Sequence, residues 1–251
     1  VLAVSAVCSF SFSQMPNPDQ APLKGARSLA LSPDGSQLAF VYKGDIWVAP
    51  SGGGRAVPVT THPEFDTNPI WSPDGKWIAF ASNRAGGNDV FVVPSAGGTT
   101  RRLTWFPGSD IPQDWSPDGR SILITGTRDQ VENSVFTLDV ATTQIRLVMT
   151  DNMTVGSPRF SPDGRSVFYN RFGFPWSRPR YQGSSAAQLW SMDVSTGART
   201  ALPDSAMVIV VNSDGRELFR RMTIAAQAER WGGPHPLPQA MVEKLLEARR
   251  K

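Results

Sequence analysis

The sequence predicts an all-β fold: a β-propeller of four-stranded antiparallel blades, with four clear blades, a degenerate fifth and a short C-terminal helix. Three observations carry this expectation. The tetrapeptide Ser-Pro-Asp-Gly starts at Ser32, Ser72, Ser116 and Ser161 and returns in degenerate form as Asn212-Ser213-Asp214-Gly215. The intervals of about 40–50 residues suit four short strands and their turns. Each copy is followed by two strands with period-two patterning, and the second of them keeps an aromatic at one place.

Each element has its own justification. In the tetrapeptide, Pro presets φ, Asp can accept from nearby backbone N–H groups and Gly accepts a positive φ, so it reads as a tight turn. The first strand after it is Gln37–Val41, Trp77–Ala81, Ser121–Thr125 and Ser166–Asn170. The second is Asp45–Ala49, Asp89–Val93, Ser134–Leu138 and Gln188–Met192. β-branched and aromatic residues alternating in such runs mark half-buried strands. A hairpin at Gly52-Gly53-Gly54, Gly97-Gly98 or Thr196-Gly197 leads to a third strand, with Ala141-Thr142-Thr143 standing in for blade three. A glycine-rich loop that cradles phosphate needs a following helix, and these loops lie between strands. Asn68–Trp71, Pro112–Trp115 and Ser157–Phe160 read as inner strands of the next blades, whose terminal aromatics pack blade against blade.

Two segments depart from the repeat. Blade four carries an insertion, Phe172–Ser185, and long loops on rigid scaffolds are where binding concentrates. Its Trp176, Arg178, Arg180 and Tyr181 are the candidate peptide-binding residues, suited to an extended chain or its carboxylate. The other reading is a loop that covers the propeller rim. After Gly215 the pattern fades: Trp231–Pro238 reads as a Pro/Gly linker, and the run to Lys251 as an amphipathic helix with Met241, Val242, Leu245 and Leu246 on one face. The predicted organisation is a signal-peptide remnant at 1–13, a propeller at 14–219, and linker plus helix at 220–251.

The first residues are apolar, small and uncharged, too short to span a bilayer, and resemble the apolar core and cleavage end of a secretory signal. The expected location is therefore periplasmic or secreted, with lipidation of Cys8 or a first strand of the fold as the other readings. Cys8 is the only cysteine, so no internal disulfide can form. A net charge of +3 with scattered basic residues, apart from Arg249-Arg250-Lys251, argues against nucleic acid.

Residues Trp71–Arg84 and their continuation Asp89–Gly98 resemble the WD-like repeats of TolB and Tricorn-type propellers. Tyr42–Trp47, Thr60–Asp66 and Pro175-Trp176-Ser177-Arg178 favour the N-terminal propeller of Tricorn-type serine proteases. The resemblance covers roughly residues 22–215. It implies a noncatalytic module that gates or guides peptides toward a distant protease domain. A stand-alone periplasmic TolB-like scaffold for proteins is the alternative. The repeats are fewer than a six-bladed ring needs, which leaves open a fragment, a truncated gene product, an oligomer or an open stack completed by a partner.

The sequence offers no catalytic constellation, cofactor or metal site. His62 near Glu64 and Asp66 lacks further ligands and reads as solvated loop, and His235 lies between two prolines. No G-x-S-x-G nucleophile elbow occurs.

Overall fold

A computed structural model describes residues 23–128, 134–151, 153–172, 187–202, 208–211 and 217–221. These form four four-stranded antiparallel sheets, each a blade with its strands in sequence order. Blade 1 is β1 (Arg27–Leu31), β2 (Gln37–Tyr42), β3 (Asp45–Pro50) and β4 (Val57–Pro58). Blade 2 is β5 (Asp66–Trp71), β6 (Trp77–Ala85), β7 (Gly87–Pro94) and β8 (Arg101–Arg102). Blade 3 is β9 (Asp110–Trp115), β10 (Ser121–Gly126), β11 (Ser134–Asp139) and β12 (Ile145–Met149). Blade 4 is β13 (Thr154–Phe160), β14 (Ser166–Phe172), β15 (Gln188–Asp193) and β16 (Arg199–Ala201). A further antiparallel pair is β17 (Val208–Val211) and β18 (Glu217–Arg221), which lie on either side of the degenerate tetrapeptide in the sequence. β18 runs past position 219, the predicted end of the repeats. The predicted signal remnant and C-terminal helix lie outside the described residues.

The tetrapeptide turns behave as their chemistry requires. In each, the serine carbonyl accepts from the glycine N–H, and Gly35, Gly75, Gly119 and Gly164 all adopt a positive φ near 70°. The serine hydroxyl donates to the aspartate at 2.6 Å and accepts the N–H five residues on. The aspartate also accepts the N–H two residues later. The serine hydroxyl, first among these donors, holds each carboxyl below its usual range, to about 2 for Asp34. The turn aspartates are thus committed to folding the backbone.

Three apolar seams join the blades. Ala39, Val41, Ile46 and Val48 of blade 1 pack on Trp71, Ile78, Phe80, Phe91 and Val93 of blade 2. Ala79, Val90, Val92 and Leu103 meet Trp115, Ile122, Ile124, Phe136 and Leu138 of blade 3. Leu123, Val135 and Met149 meet Val155, Val167, Tyr169 and Met192 of blade 4. Because strand side chains alternate, each blade buries one set forward and the other backward. The inner-strand aromatics act as expected: Trp71 Nε1 donates to the Ala30 carbonyl at 3.0 Å, and Trp115 Nε1 to that of Ile70 at 3.3 Å. Phe160 has no such donor. In its place the Asp114 carboxylate, at the position held by Ala30 and Ile70, accepts the Phe160 N–H at 2.8 Å.

Each inner strand also carries a β-bulge, which bends it away from a flat ladder. Ser28, Asn68 and Ser157 sit in the bulges of blades 1, 2 and 4 with φ near 50°, and Pro112 lies at the irregularity of blade 3.

Candidate functional site

Antiparallel alternation puts the inner-strand starts, the β6 and β10 termini and the second hairpin of each blade at one end, opposite the tetrapeptide turns. Buried ion pairs concentrate there. Asp66, the first residue of β5, is fully buried and accepts from Arg84 Nη2 at 2.7 and 2.8 Å. Asp110 stands at the same place in β9 and takes a two-point contact from Arg128. Asp89, at the start of β7, bonds Arg102 at 2.7 Å and the Thr104 hydroxyl at 3.1 Å. Blade 4 breaks the rule, because Val155 takes the Asp66 position and Asp151 before β13 gathers Arg171 at 2.9 Å and Arg199 at 3.5 Å. Burial works against ionisation of Asp151. The Arg171 hydrogen bond, the Met153 N–H and the two guanidinium charges outweigh it and lower its pKa.

Aromatic rings back these guanidiniums. Arg84 lies 4.9 Å from the Phe91 centroid, Arg128 4.8 Å from Phe106, Arg102 5.7 Å from Trp105 and Arg171 5.6 Å from Trp190. Phe65 and Trp105, in the connections that enter blades 2 and 3, are mostly exposed. A 300 Å3 cleft on blade 3 is lined by Phe106, Arg128, Phe136, Ile145 and Leu147. A second cleft, of 380 Å3, lies at the opposite end between the first two turns and is lined by Ser32, Asp34, Gln37, Trp71 and Asp74 among others.

The hairpins at the ion-pair end differ in length. Lys43 and Gly44 join β2 to β3, Gly86 alone joins β6 to β7, positions 127–133 separate β10 from β11, and 173–187 separate β14 from β15. The predicted binding residues Trp176, Arg178, Arg180 and Tyr181 belong to that longest connection and lie outside the described residues. Its roots do not: Arg171 and Gln188 face each other across β14 and β15, beside the Asp151 cluster.

The polar side chains named at this end serve the fold. Its aspartates spend their oxygens on guanidiniums, and its hydroxyls serve the backbone: Thr60 and Thr104 accept the N–H of Ile46 and Val90 at 2.9 Å. His62, predicted as solvated loop, makes two bonds: its backbone N–H donates to the Asp45 carboxylate, and its Nδ1 accepts from the Glu64 N–H at 3.0 Å. Asp66, grouped with it in that reading, is instead buried in the Arg84 pair. The sequence reading missed the ion pairs altogether. Their signal was available, since Asp66 and Arg84 recur at the same separation as Asp110 and Arg128. Among the described residues, no cluster of three His, Cys, Asp or Glu side chains is arranged to hold a metal, and no helix is long and apolar enough to cross a membrane.

Comparison with known proteins agrees with this architecture. The family model of the Tricorn protease N-terminal beta propeller domain matches residues 27–211. The structure of putative TolB from Agrobacterium tumefaciens is 27% identical with a TM-score of 0.60, over 72% of this chain and 63% of that one. TolB from Acinetobacter baumannii is 19% identical with a TM-score of 0.61, over 75% of this chain and 47% of that one, a likeness of fold. An uncharacterized peptidase of Bacillus subtilis (strain 168), YuxL, is 37% identical over 65 residues, 22% of this chain and 10% of that protein. The chain thus spans less than two thirds of the length of each of these relatives.

Proposed function

The chain belongs to the family of Tricorn protease N-terminal β-propeller domains, and from that premise we propose that it is a noncatalytic propeller module of an exported Tricorn-like protease that binds or guides peptides. The observation that carries the reading is where the longest hairpin springs from. It leaves β14 and re-enters β15 at the ion-pair end, where Phe65 and Trp105 are already exposed. A rigid blade that presents a long loop rich in aromatics and arginines is a common platform for an extended peptide. The export in this reading is supported by the apolar character of segment 1–13, and its destination would be the periplasm or the outside of the cell.

The test is fluorescence anisotropy of labelled unstructured peptides, free acids and amides, against the full chain. The Trp176→Ala/Arg178→Ala double variant is measured beside it. Binding that weakens by at least about tenfold in the variant supports the reading. Equal binding by both proteins removes the insertion from it. A stand-alone TolB-like scaffold is the second reading, favoured by the likeness to the Agrobacterium protein. It expects a folded protein partner to bind where short peptides do not.

A further inference from the structure

The Asp151 cluster serves the fold, yet it holds more donors and more positive charge than one carboxylate can use. Asp66, Asp89 and Asp110 each face one arginine. Asp151 faces two: Arg171 Nε donates to it at 2.9 Å, and Arg199 Nη1 stands 3.5 Å away. Arg199 has that loose ion pair and donates no hydrogen bond among the described residues. The connection from β14 to β15 adds Arg178 and Arg180 to the chain and contains no Asp or Glu.

The same face holds a second unspent group. Tyr169 and Arg171 occupy alternate places on β14, so they share a side of the sheet. Cross-strand partners carry that side outward, from Val167 to Met192 and Arg199, and from Tyr169 to Trp190 and Ala201. Tyr169 is 1% exposed, and its buried hydroxyl has no hydrogen-bond partner among the described residues. Burial raises its pKa, and the charges that act on it are those of Arg199, Asp151 and Arg171, which places the hydroxyl in this cluster.

Packing alone does not call for these side chains. Blade 3 fills the same places with Ile124, which pairs with Phe136 as Tyr169 pairs with Trp190, and with Ile145, which pairs with Leu138 as Arg199 pairs with Met192. Ile124 is fully buried, and Ile145 packs against the core. A buried hydroxyl without a partner destabilises, and an arginine in place of isoleucine brings a charge that the single carboxylate does not balance. A ligand that supplies acceptors and negative charge offsets both. Arg199 is the open side of the cluster, with 33% of its side chain exposed against 23% for Arg171 and 9% for Asp151, so a ligand enters beside it.

We propose that Arg199 and Tyr169, beside Arg171, form a binding site for one small oxyanion, a carboxylate or phosphate group. The Arg199 guanidinium donates to its oxygens, the Tyr169 hydroxyl turns its proton to one of them, and Asp151 holds both guanidiniums in place. A water molecule would satisfy the hydroxyl and leave the surplus charge, which is why the ligand is an anion. The inference is independent of the peptide-binding reading, since none of these residues belongs to the insertion.

Equilibrium dialysis of the full chain against radiolabelled inorganic phosphate or acetate, near neutral pH and at constant ionic strength, tests it. The expected result is saturable binding of one equivalent of at least one anion; phosphate alone marks a phosphorylated ligand, and acetate alone a carboxylate. Arg199→Gln should weaken that binding at least about tenfold. Arg165→Gln removes the same charge from an exposed side chain at the turn end and should leave it unchanged. Tyr169→Phe keeps the ring in the seam and should weaken binding by about threefold to tenfold. Saturable binding of neither anion, or equal binding by Arg199→Gln, overturns the proposal. An equal loss in Arg165→Gln means attraction to net charge alone and overturns it too, as does unchanged affinity in Tyr169→Phe.

Discussion

The seam between blades 3 and 4 makes a prediction of unusual sign. Asp114 takes the aliphatic position of this joint, and burial, offset in part by Arg159 and by the N–H groups of Phe160 and Trp115, raises its pKa from 3.8 to about 6. A carboxyl whose pKa is raised in the folded state binds its proton more tightly there than in the unfolded chain. Between about pH 4 and pH 6 the folded protein therefore holds more protons, and stability falls as pH rises through that window. A rise of about two units corresponds to about 3 kcal/mol once the group is ionised, the upper end of what this site can contribute. Asp114→Asn keeps an oxygen to accept the Phe160 N–H and cannot ionise. The assay is urea unfolding of both proteins at intervals from pH 4 to pH 8. The turn aspartates, whose lowered pKa values make stability fall as pH drops, are common to both and cancel in the difference. Relative to the variant, the unmodified protein should lose about 2–3 kcal/mol between pH 4 and pH 8. Parallel profiles, or a difference of opposite sign, refute the assignment of Asp114 as a half-buried carboxylate held against its preference.

Three further outcomes follow from particular contacts. Asp66→Ala leaves Arg84 beside an apolar seam without its partner and should cost about 3–5 kcal/mol in chemical denaturation, while a loss under 1 kcal/mol would make the pair a surface one. Gly87→Ala puts a methyl group into the carbonyl oxygen of Gly108 at the junction of blades 2 and 3; it should destabilise by about 2–3 kcal/mol and lower the melting temperature, although Gly87 does not have a positive φ. Thr143, at φ 60°, fills a left-handed position where the corresponding hairpin of blade 4 has Gly197, so Thr143→Gly should raise the unfolding free energy measured in urea by about 0.5–1 kcal/mol, and a fall would show that the Thr143 hydroxyl bond to the Thr142 carbonyl outweighs the strain.

What the sequence revealed and what it hid divide along a physical line. The turns were legible because their chemistry is local: Ser72, Asp74 and Gly75 satisfy one another within a few residues, so the tetrapeptide carries its own structure. The strands were legible because alternation records which side chains face a neighbour, and Trp71 and Trp115 fill the seams expected of them. The ion pairs were hidden because they are long-range. Asp66 looks like one more polar residue beside His62 and Glu64 until β6 brings Arg84 onto it. Asp114 was hidden for a related reason, since its environment belongs to a seam with β13, a strand of the following blade.

The two ends of the molecule therefore face different constraints. At the turn end every blade repeats the same cross-link. The N–H of Ser51, Ser95, Val140 or Val194, just past the third strand, bonds the carbonyl of Ser36, Lys76, Arg120 or Arg165, just past the turn. Neighbouring turns also lie close, so that a Cβ added at Gly75, Gly119 or Gly164 would meet the ring of Pro33, Pro73 or Pro117. An insertion there would break a bond within its own blade and crowd the neighbouring turn. At the other end the blades are pinned below the rim instead, by the buried Asp66 and Asp110 pairs and the Asp151 cluster. These clasps hold the strand ends whatever length of chain joins them, so hairpins from one residue to the long connection after β14 are accommodated on the same scaffold. The arginine pairs thus permit the connecting loops to vary in length. On this argument, Asp151→Asn should weaken peptide binding by disordering the root of the insertion, and shortening the insertion should abolish binding while leaving the unfolding midpoint unchanged.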